Sequence, residues 1–426
     1  MLKKRFFASL LLLILLLSLT LNVAAKTKIS FWHSWSGEGV KAIDSIVNQF
    51  EKIYPDIDVE VILTTKMEQK LLVSIAGGAA PDVVLFDRYK TGQFAARGAL
   101  TELDKFIENS SIKSEDFFNA AWGETIYRGK IYSIPYYVDN RALLYNKKLF
   151  EEAGLDPNDP PETWDELIEY SKKLTKYDDK GRITQVGFVP IWEGASLVHY
   201  IWQSGGTVFN DDMTKVVFNN EIGVNALQWI VDFIDMCGGV DELISFSSGF
   251  GAQINNPFYI GQVAMQSNGP WIYRDIERYA PDFLKNDLRI APLPKNTEHA
   301  TIVGGFSLII PKGAPEPEAA WKFIQHLIQK ENQIEWALAS GTIPALKAAA
   351  YDDQIMRNDI WKGFVKNMEN GKYRPVHPAF PEVESYIYQA VDKAVYHKMT
   401  SKEALDWAAK RAQVILDQHN LIIINN

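Results

Sequence analysis

Residues 28–35, KISFWHSW, and their continuation over 37–86, GEGVKAIDSIVNQFEKIYPDIDVEVILTTKMEQKLLVSIAGGAAPDVVLF, decide the fold class. Lys28 to Trp32 is rich in β-branched and aromatic residues, the composition of a strand. Val40, Ile43, Ile46, Val47, Phe50 and Ile53 then recur at helical spacing and form one apolar face. Tyr54-Pro55 stops that helix, and Asp58 to Leu63 reads as a second strand. A second helix over Met67 to Ala76 closes on Gly77-Gly78, a fitting C-terminal pair. Pro81 leads into Val83-Val84-Leu85-Phe86, the unbroken apolar run expected of a strand covered on both faces. Strands alternating with helices specify α/β layers around a largely parallel sheet.

Outward from this stretch the alternation continues. Lys130 to Tyr137 and Ala142 to Tyr145 read as strands, and Lys147 to Ala153 as a helix closed by Gly154. Thr163 and Glu166 form a capping box at the start of the next helix. A further α/β stretch covers Val186 to Phe233, with strands at Ala264-Met265 and Leu288 to Leu293. Glu316 to Lys330 reads as one helix burying Ala320, Phe323, Ile324, Leu327 and Ile328. A last helix starts near Thr400, with Glu403 completing its capping box. The chain exceeds what one core organises, so two lobes are expected. With no repeat and no long linker, several short crossings should join them.

Lys3, Lys4 and Arg5 precede an apolar run, Phe6 to Leu21, and the small residues Val23-Ala24-Ala25. This order is that of a cleaved secretory signal over residues 1–25, the apolar run being shorter than the ~20 residues of a spanning helix. No cysteine follows the cut, so no lipid anchor is expected, and the protein should act in the periplasm or at the outer face of the cytoplasmic membrane. Removing those three cations from 44 basic residues leaves 41 against 53 acidic ones, a charge of −12. Such a balance argues against a nucleic-acid partner. The single cysteine, Cys237, cannot form an internal disulfide and is expected as a small buried apolar residue.

Gly37-Glu38-Gly39-Val40-Lys41-Ala42 fits a dinucleotide fingerprint. The second strand, however, ends in Leu63-Thr64-Thr65 where that fold wants an acid, and Glu38 would meet the pyrophosphate. There is no GxxxxGK[ST], HExxH, CxxC or GxSxG pattern. No cofactor, metal or catalytic site is therefore expected.

Sugars present weakly apolar C–H faces and a rim of hydroxyls, so their sites combine flat aromatic walls with carboxylates, amides or guanidinium groups. Aromatics with polar neighbours recur here after the strands, where ligands of open α/β sheets collect. They are Trp32-His33-Ser34-Trp35, Asp87-Arg88-Tyr89, Tyr136-Tyr137-Val138-Asp139-Asn140, Trp192-Glu193, Asn268-Gly269-Pro270-Trp271 and Gly304-Gly305-Phe306. Each residue also has a packing alternative; their recurrence at loop positions carries the reading.

At these residues, and at Gly77 to Val84, Lys130 to Pro135, Leu144 to Phe150, Pro161 to Leu167, Ala291 to Pro294 and Ala319 to Phe323, the chain resembles the extracellular solute-binding proteins of sugar ABC importers, the maltose- and trehalose-binding type. The resemblance implies the two-lobed periplasmic binding protein type II fold, with an interlobe hinge and cleft. Lobe 1 is expected over 26–138 with 302–342, and lobe 2 over 139–301 with 343–426. By the same resemblance Asp87 matches a cleft carboxylate, Tyr137 and Asp139 an aromatic–x–acid pair, and Trp271 the stacking ring. Gly305 and Phe306 match a Gly–aromatic pair, Phe306 replacing a Trp common in relatives, and Arg374 matches a late guanidinium. Trp35, Glu38 and Trp192 complete the ligand-contact set, while His33, Trp164 and Trp321 are expected to be structural. The implied function is capture of a di- or oligosaccharide by a monomer and its delivery to membrane permease subunits. The start Phe31-Trp32-His33-Ser34 also resembles glycerol-phosphodiester binders, which leaves a phosphodiester or another polyol as the alternative ligand. A secreted glycoside hydrolase and a passive surface adhesin are further alternatives.

Overall fold

The computed structural model describes residues 26–192 and 196–425. The proposed signal segment, 1–25, and Glu193 lie outside the described residues.

In the first lobe, β1 (Thr27–His33), α1 (Glu38–Ile53), β2 (Ile57–Leu63), α2 (Met67–Ala76) and β3 (Val83–Asp87) follow the expected alternation. After α3 (Asn119–Gly123), the chain runs through β4 (Ile134–Pro135) and β5 (Tyr137–Val138) into β6 (Ala142–Asn146). The second lobe carries α4 (Trp164–Leu174), α5 (Leu197–Gln203), α6 (Glu221–Met236), β7 (Met265–Asn268), α7 (Ile272–Tyr279) and β8 (Leu288–Ala291). The chain returns through β9 (Thr301–Ile302) and β10 (Phe306–Ile309) to α8 (Pro317–Leu327) and α9 (Lys330–Ser340). It ends with β11 (Ile343–Pro344), β12 (Gly371–Lys372), α10 (Phe380–Val395) and α11 (Ser401–Asn425).

The first sheet has the order β2-β1-β3-β10-β4. β1 pairs in parallel with β2 and β3, and β10 runs antiparallel to β3 and β4. Asp82, just before β3, ties this lobe together. One carboxylate oxygen accepts from Ser30 N at 2.8 Å and the other from Glu316 N at 2.9 Å, fixing β1 and the approach to α8. Phe31, Phe50 and Phe323 meet edge to face beneath the sheet, with centroids 5.3 Å and 5.0 Å apart. The second sheet, β7-β6-β8, is antiparallel. Its helices centre on Trp164, buried as expected and stacked 4.4 Å from Trp229. Both halves of the Thr163–Glu166 capping box form, as do those of Thr400 and Glu403. Cys237 is buried, and burial pushes its thiol up to about 12. Among the described residues no helix is long and apolar enough to cross a membrane.

Two expected elements differ. Lys130 to Tyr137 is not one strand: Lys130–Ile131 pairs with Ile126–Tyr127, β4 with β10, and β5 with β11. Pro135 offers no N–H to continue a ladder, and the chain changes partners there. Glu316 to Lys330 is likewise divided between α8 and α9. Gln329 is extended (φ −60°, ψ 147°), and Asn332 Nδ2 donates to the His326 carbonyl at 2.7 Å, satisfying the helix end that the break exposes.

The lobes are joined where β5 leads into β6 and where β9 leads into β10. These crossings lie side by side, with Asp139 N donating to Gly304 O at 3.2 Å and Gly304 N to Asp139 O at 3.0 Å. Arg88 locks both to the first lobe. It is fully buried, with Nε 3.1 Å from Glu124 Oε2, Nη1 donating to Tyr137 O at 3.2 Å and Nη2 to Gly304 O at 2.6 Å. Removing Arg88 leaves Glu124 to Arg374, Gly304 O to Asp139 N, and Tyr137 O without its guanidinium donor. Arg88→Met is expected to lower unfolding free energy by about 1–3 kcal/mol in urea titration. A loss under about 1 kcal/mol, the size of an exposed pair, would contradict this role.

Candidate functional site

Trp35 follows β1 on a loop held from below. Its backbone N–H donates to His33 Nδ1 at 3.2 Å, and its indole Nε1 donates to the Tyr137 hydroxyl at 2.9 Å. His33 is buried, and that burial lowers its pKa despite Asp44 nearby, consistent with a neutral structural acceptor. Trp271 is placed by the sequence around it. A Cβ at Gly269 would sit 2.0 Å from the Trp271 ring, so only glycine lets the indole fold back there. Trp271 then precedes α7 as its N-cap residue and remains 38 % exposed. The two indoles, from opposite lobes, line one cavity of about 500 Å³. Its polar walls come from Ser36 and Ser340 on one side and Arg274, Asp275 and Arg278 on the other.

Beside it lies a charged cluster. The Arg141 guanidinium sits 5.1 Å from the Trp271 ring centroid and pairs with Asp139. Arg374 Nε donates to Glu124 Oε1 at 3.1 Å, and its guanidinium lies 4.4 Å from the Tyr89 ring centroid. Glu124 is thus shared by Arg88 and Arg374. Burial opposes the charge of Arg374, but Glu124, Asp87, Glu384 and Asp139 together raise its pKa. Asp87, the last residue of β3, faces this group. Burial raises its carboxyl to about 6; Arg374 opposes the shift, while Glu124 and Asp139 add to it. Glu384 of α10 is raised as well, mainly by burial. Burial, with Arg141 and Arg374 adding to it, lowers His199 to about 3.

Tyr137 and Phe306 stack at 5.3 Å and 18°, and Phe306 is the register partner of Asp87. Trp336 covers the Tyr137 ring at 5.9 Å and 28°, so that ring is enclosed by aromatics and buried. Gly305 has φ +122°, and a Cβ there would lie 2.3 Å from Tyr137 O. Its role in the site is to let the two crossings approach.

The structure therefore brings Trp35, Asp87, Tyr137, Asp139, Trp271, Gly305, Phe306 and Arg374 to one interlobe region. The Trp192 ring packs edge to face against Phe250 at 5.6 Å. Glu38 opens α1, and its side chain lies outside the described residues. The residue reading passed over Arg88, Glu124, Arg141, Trp336 and Glu384. Arg88 and Arg141 each stand within two positions of a singled-out acid. Glu124, Trp336 and Glu384 carry no such local sign.

A model of the bacterial extracellular solute-binding protein family matches residues 34–334. The chain belongs to this family. Among relatives, the sn-glycerol-3-phosphate-binding periplasmic protein of Yersinia pestis is 26 % identical, covering 94 % of this chain and 95 % of its own. The maltotriose-binding protein of Pyrococcus abyssi is 25 % identical, covering 86 % and 77 %. A solved structure described as CpMnBP1 with mannobiose bound superposes with a TM-score of 0.78 at 28 % identity, covering 92 % of this chain and all of that one.

Because the folded state holds the Asp87 proton more tightly than the unfolded chain does, ionising Asp87 disfavours folding. That penalty is absent below pH 3.8 and complete above about pH 6. Asp87→Asn is expected to match the wild type in urea midpoint at the acid end of this window and to exceed it above the window. A difference that does not change with pH would show that Asp87 does not titrate there.

Proposed function

We propose that this chain captures a neutral di- or oligosaccharide outside the cytoplasm by closing its two lobes around it, and passes it unchanged to the permease subunits of an ABC importer. The observation that carries the reading is the pair Trp35 and Trp271, from opposite lobes, lining one cavity of about 500 Å³ edged by serine, arginine and carboxylate groups. A ring inserted there meets an apolar wall from each side and hydroxyl partners at its rim. Contacts to the second lobe exist only when the cleft is shut, and that difference in affinity drives closure. Among the described residues no side-chain hydrogen bond reaches the Asp87 carboxylate, and it is the group offered to ligand hydroxyls. The maltotriose and mannobiose named in the relatives' descriptions support the ligand class.

The lobes in this reading are 26–138 with 302–342 and 139–301 with 343–426. The monomer, released from its 1–25 signal peptide, works in the periplasm or on the outer face of the membrane. It binds without catalysis, and the relatives named above are binding proteins.

A second reading takes the Yersinia relative as guide and places a phosphate-bearing polyol against Arg141 and Arg374. Both guanidinium groups are already paired, with Asp139 and Glu124, and Asp87 and Glu384 add carboxylates beside them. A phosphate would have to approach these acids, which favours the neutral sugar.

Thermal unfolding against mannobiose, maltotriose and sn-glycerol 3-phosphate separates the readings. A sugar at a hundredfold excess over Kd should stabilise by about 2.7 kcal/mol. A shift for glycerol phosphate alone would overturn the sugar assignment. Trp271→Ala should weaken sugar binding roughly ten- to a hundredfold, the scale of a lost apolar wall, with little change in melting temperature. Unchanged affinity in calorimetric titration would exclude Trp271 from the site. Sugar affinity should also fall as pH drops below about 6, because a protonated Asp87 loses acceptor strength.

A further inference from the structure

A second cavity, of about 430 Å³, shares no lining residue with the one between Trp35 and Trp271. Trp202, Phe209 and Tyr373 supply aromatic surface, and Asn119, Asp211 and Thr207 supply polar edges. Its size falls within the roughly 300–1,000 Å³ of small-molecule sites. Neither Asn119 nor Asp211 makes a side-chain hydrogen bond among the described residues. We propose that this cavity is a second saccharide site, separate from the cleft.

The cavity is assembled from segments of both lobes. Asn119 and Ala120 belong to α3 of the first lobe. The loop at 207–213 is anchored to the second-lobe helix α11, with Asn420 Nδ2 donating to Met213 O at 3.2 Å and Gln413 Nε2 to Thr214 O at 2.9 Å. The third wall, Gly371 to Pro375, includes β12, which pairs with the returning strand β9. Tyr373 is seated tightly: a Cβ on Gly123 would lie 2.6 Å from its ring. Its neighbour Arg374 instead reaches Glu124 and Tyr89 in the cleft cluster. One short segment thus lines the second cavity with Tyr373 and serves the cleft with Arg374. A ring bound between Tyr373, α3 and the 207–213 loop touches both lobes.

The test uses the mature chain with ¹³C-methyl methionine, because Met213 lines this cavity. Maltotriose and mannobiose are titrated into the wild type, into Trp271→Ala, and into Asn119→Trp, which fills the cavity from its exposed rim. Circular dichroism checks that each variant is folded. The expected result is a saturable shift of the Met213 methyl resonance with one of the sugars. Its midpoint should be unmoved by Trp271→Ala, and the shift should be lost in Asn119→Trp. A Met213 resonance that stays in place, or that follows cleft occupancy and weakens with Trp271→Ala, would overturn the second site. The calorimetric titration of the cleft judges the first reading separately, since a cleft that takes no sugar leaves the Met213 result interpretable.

Discussion

Glu124 holds two guanidinium groups at once, Arg88 through Oε2 and Arg374 through Oε1, each at 3.1 Å. Much of the interlobe region depends on that arrangement. Two cations with one buried carboxylate would be costly in isolation, but Arg88 also satisfies two crossing-strand carbonyls, Tyr137 O and Gly304 O. The result ties the end of β3, the end of α3, both crossings and the segment after β12 to a single point. Asp87, next in sequence to Arg88, is held at the edge of this group, with no hydrogen-bond donor to its carboxylate among the described residues.

The aromatic half of the site has a different origin. Trp35, Tyr137, Phe306 and Trp336 form a continuous ring cluster, in which Trp35 meets Trp336 at 5.2 Å and Tyr137 stacks between Phe306 and Trp336. Packing of this kind stiffens the wall of the first lobe, while Trp271 faces it from α7 with its ring laid over Gly269. Aromatic residues thus take two roles that composition does not separate. Tyr137 spends both faces and its hydroxyl inside the protein, whereas Trp271 keeps much of its surface open. The family is one of solute-binding proteins, and in this chain a stiff aromatic wall stands opposite an exposed ring across the cavity.

Much of the first lobe is legible in the residues themselves. The helical spacing from Val40 to Ile53 and the run Val83 to Phe86 mark α1 and β3 because burial imposes a period along the chain. Capping boxes at Thr163 and Thr400 are equally local and are found where the spacing puts them. Lys130 to Tyr137 reads as one strand because its composition is uniform, yet its partners lie in three different places. The break between α8 and α9 is hidden because helix propensity runs through it, while a side-chain hydrogen bond from Asn332 to the His326 carbonyl closes it.

The chain by itself determined the class of fold, the positions of most strands and helices, and the aromatic and acidic residues that end up near the cleft. These follow from periodicity and from residue chemistry, both of which are local. Tertiary structure alone decided that Glu124 and Glu384 join the charged cluster, that Trp192 meets Phe250, and that Tyr373 lines a cavity while its neighbour Arg374 pairs with Glu124. Partners such as Arg374 and Glu124 are 250 residues apart along the chain. Only folding brings such groups within reach, and the energy of a charge depends on neighbours that no sequence spacing records.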